Sequence, residues 1–108
     1  MVYAYKNINT SFTIPLLEFV TITDHAYLFK ATTDYNTDLA EYFVPTLNTE
    51  DIRFSYFEYD FPIKAGQYTL EVYEFDSNNP TPTDEIGLNR LAIVRLNVEE
   101  TDTNSIYI

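Results

Sequence analysis

One short stretch, residues 64–73 (KAGQYTLEVY), constrains the fold of this chain more than any other. Gly66 suits a sharp turn because glycine tolerates the positive φ that such turns often require. Tyr68 follows two positions later, where it can lie over the turn and donate its hydroxyl to a nearby backbone group in a tyrosine corner. Apolar and polar side chains then alternate with a period of two, which is typical of a half-buried strand. The other interpretation is a chance glycine before an ordinary hairpin strand.

The rest of the chain repeats this pattern of short strands and turns. Aromatic residues, which favour strands, are abundant, with 8 Phe and 10 Tyr, and long segments of helical periodicity are absent. Candidate strands cover residues 2–5, 11–14, 16–23, 26–32, 39–44, 52–61, 67–75 and 91–98. Seven or eight strands at this spacing predict an all-β fold, a single antiparallel β-sandwich of immunoglobulin-like shape.

The predicted domain and its core follow from these strands. We expect residues 1–98 to form the sandwich and residues 99–108 to form an acidic tail with an apolar end. The longest candidate strand, residues 52–61, has two alternating faces, and we place the face of Phe54 and Tyr56 inside. The predicted core consists of Phe54, Tyr56, Tyr68, Leu70, Val72, Leu91 and Ile93, with Leu28 and Phe43 as partners.

Charge and cysteine content exclude several classes of protein. The length of 108 residues allows one domain. A net charge of −11, from 17 acidic and 6 basic residues, repels phosphate backbones and anionic bilayers, so we expect no direct binding to nucleic acid or membrane. Without cysteine there is no disulfide framework and no thiolate metal site, which fits assembly in a reducing cytoplasm. We expect no signal peptide, and no apolar run is long enough to span a membrane.

Residues that would carry catalysis or a cofactor are nearly absent. His25 is the only histidine, and one histidine without a thiol does not make a usual zinc site. No serine lies in a G-x-S-x-G context, and nothing selects a pair of carboxylates for glycoside hydrolysis. Asp34, Asn36 and Asp38 have the spacing that opens an EF-hand loop, but Leu39 replaces the required glycine, so a polar turn explains them better. The sequence therefore predicts no enzyme, no metal site and no cofactor.

The candidate contact residues lie in one loop and in the final residues. The loop of residues 76–90 is long and stiffened by two prolines, which lowers the entropy lost on docking. Residues 106–108 are apolar after a charged spacer, and they either add a strand to a neighbour's sheet edge or fold back on their own first strand. The predicted protein–protein contact residues are Asn79, Pro80, Pro82, Ile86, Leu88, Ile106, Tyr107 and Ile108.

Two stretches carry a resemblance to a known group of proteins. Residues 52–57 (IRFSYF) and 61–74 (FPIKAGQYTLEVYE) resemble small structural proteins of tailed bacteriophages that infect Bacteroidota. The resemblance covers about the C-terminal half of the chain. It implies a virion component, an auxiliary capsid or head-to-tail connector subunit present in many copies. It further implies other virion proteins as partners, assembly in the host bacterial cytoplasm, and no catalytic residues.

Two other functions compete with a virion subunit. The 10 tyrosines exceed what a thin core hides, so some of them suit a stand-alone module that binds a partner protein or a glycan. The lack of tryptophan weakens the glycan interpretation. A small acidic inhibitor that mimics nucleic acid is a third interpretation, and the scattered acidic residues argue against it.

Overall fold

The part of the chain that the structure describes, residues 1–33 and 36–100, forms eight strands and one short 3₁₀ helix. The structure is a computed structural model, and its description leaves out the side chains of residues 36–39. The strands are β1 (Val2–Tyr5), β2 (Asn9–Ile14), β3 (His25–Thr33), β4 (Asn36–Phe43), β5 (Thr46–Glu50), β6 (Ser55–Asp60), β7 (Gly66–Asp76) and β8 (Asn89–Glu99), and the 3₁₀ helix is Leu17–Phe19. The expected all-β fold is confirmed.

The strands form two sheets that pack face to face. One sheet has the order β1-β8-β7-β3-β4 and the other has the order β2-β6-β5. The prediction of purely antiparallel pairing is wrong at one edge, where β1 runs parallel to β8 with Val2 opposite Leu96. The cause is the short connection of residues 6–8, which leads β1 directly into β2 of the other sheet. The immunoglobulin-like shape stays a prediction.

The tyrosine corner is present at the start of β7. Gly66 has a φ of +150°, in the region that favours glycine. The hydroxyl of Tyr68 donates a hydrogen bond of 2.6 Å to the carbonyl oxygen of Lys64, four residues earlier. This bond satisfies the hydroxyl of a buried ring and joins the β6–β7 connection to the strand that follows it.

The main core lies between the sheets and is built around phenylalanine. Phe57 stacks on Phe12 at a centroid distance of 5.4 Å and meets Phe29 edge-on at 5.1 Å. The inward residues of β7, Tyr68, Leu70 and Val72, are buried as predicted. The buried hydrophobic residues of this cluster are Val2, Ala4, Phe12, Ile14, Leu16, Tyr27, Phe29, Ala31, Phe57, Phe61, Tyr68, Leu70, Val72, Leu96 and Val98.

The predicted inward face of β6 is wrong. Phe54 is 41% exposed and Tyr56 is 37% exposed, whereas Ser55 and Phe57 are buried. Both faces of this segment carry aromatic side chains, so alternation alone does not identify the inner face. Pairing decides it, because Phe57 lies opposite the inward-facing Phe12 of β2.

Four further core predictions need correction. Ile93 is 53% exposed because it pairs with the outward residue Glu71, whereas its neighbour Val94 pairs with the buried Leu70. Leu91 and Phe43 pack against the core but are only partly buried. Leu28 is buried on the opposite face of its sheet, in a second cluster with Tyr73 and Phe75.

Two strand predictions also differ from the structure. Residues 16–23 do not form a strand but contain the 3₁₀ helix after Pro15. The backbone N–H groups of Thr21 and Ile22 bind a carboxylate of Glu74 instead of a neighbouring strand. Conversely, β5 covers residues 46–50, which lie between two of the candidate strands.

Candidate contact surface at the β7–β8 loop

The loop between β7 and β8, residues 77–88, is anchored by hydrogen bonds where it leaves β7. The backbone N–H of Ser77 donates to the carbonyl oxygen of Asp24 at 2.8 Å. The N–H of Asn78 donates to the Asp76 carboxylate at 2.9 Å, and the N–H of Asn79 donates to the Asp76 carbonyl at 3.0 Å. These bonds define a turn that directs the following proline segment away from the strand.

The end of the loop is ordered by a second set of local bonds. The N–H of Ile86 donates to the Asp84 carboxylate at 2.9 Å, and the N–H of Leu88 donates to the Glu85 carbonyl at 3.0 Å. Gly87 lies between them with a φ of +80°, a conformation that a residue with a side chain adopts with strain. The turn places Leu88 on the cluster of Leu28, Tyr73 and Phe75.

The side chain of Glu85 fastens the same end of the loop to the outer face of the five-stranded sheet. Its carboxylate accepts a hydrogen bond from the Tyr42 hydroxyl and one of 2.9 Å from Lys30 Nζ. These two hydrogen bonds lower the pKa of Glu85 to about 2. Because Lys30 lies on β3 and Tyr42 on β4, the loop is bonded to two strands other than β7 and β8, which it connects.

A buried carboxylate, that of Glu74, organises the other side of the loop. It accepts hydrogen bonds from the N–H groups of Thr21 and Ile22 at 2.9 and 3.0 Å, from Thr21 Oγ1 at 3.0 Å, and from Asn89 Nδ2 at 2.7 Å. Burial raises the pKa of Glu74, but these hydrogen bonds outweigh it and the pKa is lowered. Glu74 therefore joins the β2–β3 connection to the start of β8.

A surface pocket of about 340 Å³ lies between the β2–β3 connection and the loop. Four of the sequence-predicted contact residues line this pocket: Asn79, Pro80, Pro82 and Leu88. Ile86 does not line it and instead projects from the loop with 82% of its surface exposed. Ile106, Tyr107 and Ile108 lie outside the described residues, so their predicted contact role stays a prediction.

The only histidine belongs to a second polar network, which joins the two sheets. His25 Nε2 lies 2.6 Å from Glu50 Oε1, and the hydroxyls of Tyr27 and Ser55 donate to Glu50 Oε2. Burial alone would raise the pKa of Glu50. The three hydrogen bonds have the larger effect, so the pKa is lowered. Burial lowers the pKa of His25, but the bond and charge of Glu50 outweigh burial and raise it.

This network does not have the order of a catalytic triad. In a triad, serine contacts histidine, and the carboxylate contacts the other side of the ring. Here Ser55 contacts Glu50, and Ser55 is fully buried. The arrangement is suited to holding β3 against β5 and β6 rather than to nucleophilic attack.

Sequence reasoning missed a second exposed apolar surface at the β5–β6 turn. The Asp51 carboxylate accepts hydrogen bonds from the N–H groups of Arg53 and Phe54 at 2.8 and 3.0 Å, which closes the turn. Ile52 is 78% exposed at its tip, and Phe54 and Tyr56 follow on the outer side. The Asp51 position, three residues before Phe54, is the sequence signal that would have indicated a turn here.

Within residues 1–33 and 36–100, no group of three or more His, Asp or Glu side chains is placed to hold a metal ion. No helix in the described part of the chain has the length and apolar character that crossing a membrane requires. Comparison with protein-family models, curated proteins and solved structures found no match to this chain.

Proposed function

We propose that this protein is a non-enzymatic structural subunit of a bacteriophage virion, an auxiliary or decoration capsid protein or another capsid-associated component. The observation that carries the proposal is the β7–β8 loop, which is fastened by hydrogen bonds at both ends yet presents Ile86 to solvent. A side chain of this kind on an ordered loop is suited to a protein contact. The resemblance of residues 52–57 and 61–74 to phage structural proteins supports the same function.

Pre-ordering of the loop matters because association costs free energy whenever a mobile segment must be immobilised. Each rotamer-rich side chain that is ordered on binding costs about 0.5–1.5 kcal/mol. The bonds of Glu85 to Lys30 and Tyr42 hold the loop before any partner arrives. The docking cost is therefore reduced at the contact surface itself.

The net charge of −11 supports a subunit that stays soluble until it meets its partner. Like charge opposes indiscriminate contact between free copies and with packaged nucleic acid. Specific contact then depends on a local surface that overcomes this repulsion, such as the loop that exposes Ile86.

Counting this chain in purified particles tests the proposal. Quantitative mass spectrometry of phage particles is expected to find the chain in many copies, in a fixed ratio to the major capsid protein. Absence from particles that are otherwise complete would overturn the proposal.

The alternative is a stand-alone module that binds a glycan, and one observation favours it. A pocket of about 420 Å³ on the three-stranded sheet is lined by Tyr56 together with Ser11, Thr13, Asn48 and Thr49. An exposed aromatic ring beside hydroxyl and amide groups is suited to a sugar ring. Glycan binding that is lost in Tyr56→Ala, by a chain absent from particles, would favour this alternative over the virion subunit.

A further inference from the structure

The edge of the three-stranded sheet at β2 lacks the features that protect sheet edges. Its six residues, Asn9–Ile14, carry no charge and no proline. They pair with β6 at every position from Asn9 to Ile14 without a bulge. In the part of the chain that the structure describes, no strand lies on the other side of β2. A flat and uncharged edge of this kind is a template for another strand.

The other three edges of the two sheets are each protected. β1 has only four residues. β4 includes the charged and exposed residue Glu41. β5 has a register shift between Leu47 and Thr49. Short length, charge and bulges are usual means of preventing edge pairing, and among these four edge strands only β2 lacks all three.

On the side where β1 and β2 meet, β1 covers only part of β8 in the larger sheet. β1 covers β8 only from Leu96 to Glu99. The earlier part of β8, residues 89–95, pairs with β7 and has no second neighbour among the described strands. Its apolar residues Leu91, Ala92 and Val94 pack against the core but remain only partly buried. A strand added to β2 would lie beside this opening.

We propose that the β2 edge accepts residues 105–108 (SIYI) of a neighbouring copy of this chain. Their alternation matches the edge, because Ile106 and Ile108 would face the core beside Phe12 and Ile14, with Tyr107 on the outside. Extended β-branched and aromatic residues are suited to strand addition, in which main-chain hydrogen bonds supply affinity.

The direction of β8 favours a neighbouring copy over the chain's own edge. The N–H of Lys6 donates to the Glu99 carbonyl at 2.8 Å, so β8 ends where the connection from β1 to β2 begins. β2 starts at that end and runs the opposite way to β8. A segment that continues along β8 leaves the domain, whereas pairing with its own β2 requires a full reversal.

A contact of this kind is heterologous, since one copy donates the segment and another supplies the edge. Repeated from copy to copy, it produces a ring or an open array. The inference rests on the proposed structural role, because it names the contact by which many copies would assemble. Its test uses purified chain alone, so its failure is distinguishable from absence of the chain in particles.

A mixing experiment tests the inference with two half-blocked chains. The edge-blocked chain carries Ser11→Lys and Thr13→Lys, and both positions are exposed on β2. The segment-blocked chain carries Ile106→Asn and Ile108→Asn, which leave the charge unchanged. The control carries Thr46→Lys and Thr49→Lys, an equal change of charge at exposed positions on β5, the opposite edge of the same sheet. Circular dichroism verifies that each chain folds, and Thr13→Lys alone replaces the edge variant if the double change unfolds it.

The readout is mass by light scattering over a range of concentrations. The unchanged chain and the β5 control are expected to associate increasingly with concentration. Each half-blocked chain is expected to remain a monomer, and their equimolar mixture to form heterodimers and nothing longer. A synthetic peptide of residues 101–108 should inhibit association of the unchanged chain.

Several results would overturn the inference. One is a monomeric unchanged chain up to about 1 mM, the limit of weak specific association. A second is association of the edge-blocked chain equal to that of the control. A third is a mixture that stays monomeric. Unfolding of the segment-blocked chain would show that residues 105–108 complete their own domain, and would also reject the inference.

Discussion

At the scale of single residues, two carboxylates join segments that are distant in the chain. Glu74 accepts four hydrogen bonds, three of them from Thr21 and Ile22. Glu50 accepts three and joins strands of different sheets. A buried carboxylate is costly unless its oxygens are satisfied, and here donors surround both of them. Glu74 therefore stabilises the connections beside the contact loop, and Glu50 holds the two sheets together.

We expect Glu74→Gln to destabilise the fold by about 1.5–3 kcal/mol, the range for hydrogen bonds to a charged group. The amide nitrogen of glutamine is a donor and would face donors on Thr21 or Ile22. Chemical denaturation measures the free energy of unfolding. Glu18→Gln, the same change at an exposed position, should stay within about 0.5 kcal/mol. Equal effects of the two changes would contradict the role given to Glu74.

The His25–Glu50 pair makes stability depend on pH. The pKa of His25 is raised by folding, so its contribution is complete below its ordinary value of 6.5 and is lost as pH rises through the folded value. The pKa of Glu50 is lowered, so its contribution is lost as pH falls below its ordinary value of 4.5. Urea midpoints of the unchanged chain should therefore decline as pH rises above about 6.5. His25→Gln should remove that decline, and its persistence would contradict this account.

The residue scale also shows what sequence patterns can predict. The bond from Tyr68 to Lys64 was predictable because its partners are four residues apart and separated by a glycine. The contacts of Glu74 and Glu50 were not, because Thr21 lies 53 positions from Glu74, and local periodicity contains no information on such pairs.

At the scale of elements, β6 and the β7–β8 loop determine which apolar residues face solvent. β6 turns Phe57 inward and Tyr56 outward because it pairs with β2 in one register. The loop covers Leu28 and Tyr73 on the outer face of the larger sheet while it exposes Ile86. The strand pattern of β7 was predictable because only one of its faces is continuously apolar. The inner face of β6 was not, because both faces are aromatic.

Truncation of Phe57 or Tyr56 on β6 should distinguish the observed inner face, that of Phe57, from the predicted inner face, that of Tyr56. Phe57→Ala should cost about 3–5 kcal/mol, the usual loss for a buried phenylalanine. Tyr56→Ala, at a position 37% exposed, should cost less than about 1.5 kcal/mol. Thermal or urea unfolding measures both losses of stability. A larger loss for Tyr56→Ala would mean that Tyr56, and not Phe57, faces the core.

The bonds of Glu85 should control the order of the loop more than the stability of the fold. Glu85→Ala removes the partner of Lys30 and Tyr42, so hydrogen exchange at the Ile86 and Leu88 amides should accelerate about tenfold. Amides of β6 should exchange at their original rate. Glu58→Ala, a change of equal charge on β6, provides the control. Unchanged exchange in the loop would show that Glu85 does not fasten it.

At the scale of the whole molecule, a two-sheet scaffold places an ordered loop with the exposed Ile86 at one end and an edge without charge or bulge on one side. The two-sheet architecture follows from short alternating strands and was predictable. The parallel β1–β8 pair and the open β2 edge depend on which sheet each strand joins, which local alternation does not specify. Both surfaces are suited to a subunit that contacts other proteins repeatedly.

The most direct test of this account is competitive incorporation into phage particles. The unchanged chain and Ile86→Asp are produced together, and their ratio in purified particles is compared with their ratio in the free pool by mass spectrometry. Ile93→Asp is the matched control, since it places the same charge at another exposed isoleucine. The account predicts that Ile86→Asp is depleted about tenfold or more in particles, a loss of at least about 1.4 kcal/mol in docking, while Ile93→Asp keeps the ratio of the pool. Incorporation of Ile86→Asp at the ratio of the pool, or absence of every version from the particles, would contradict it.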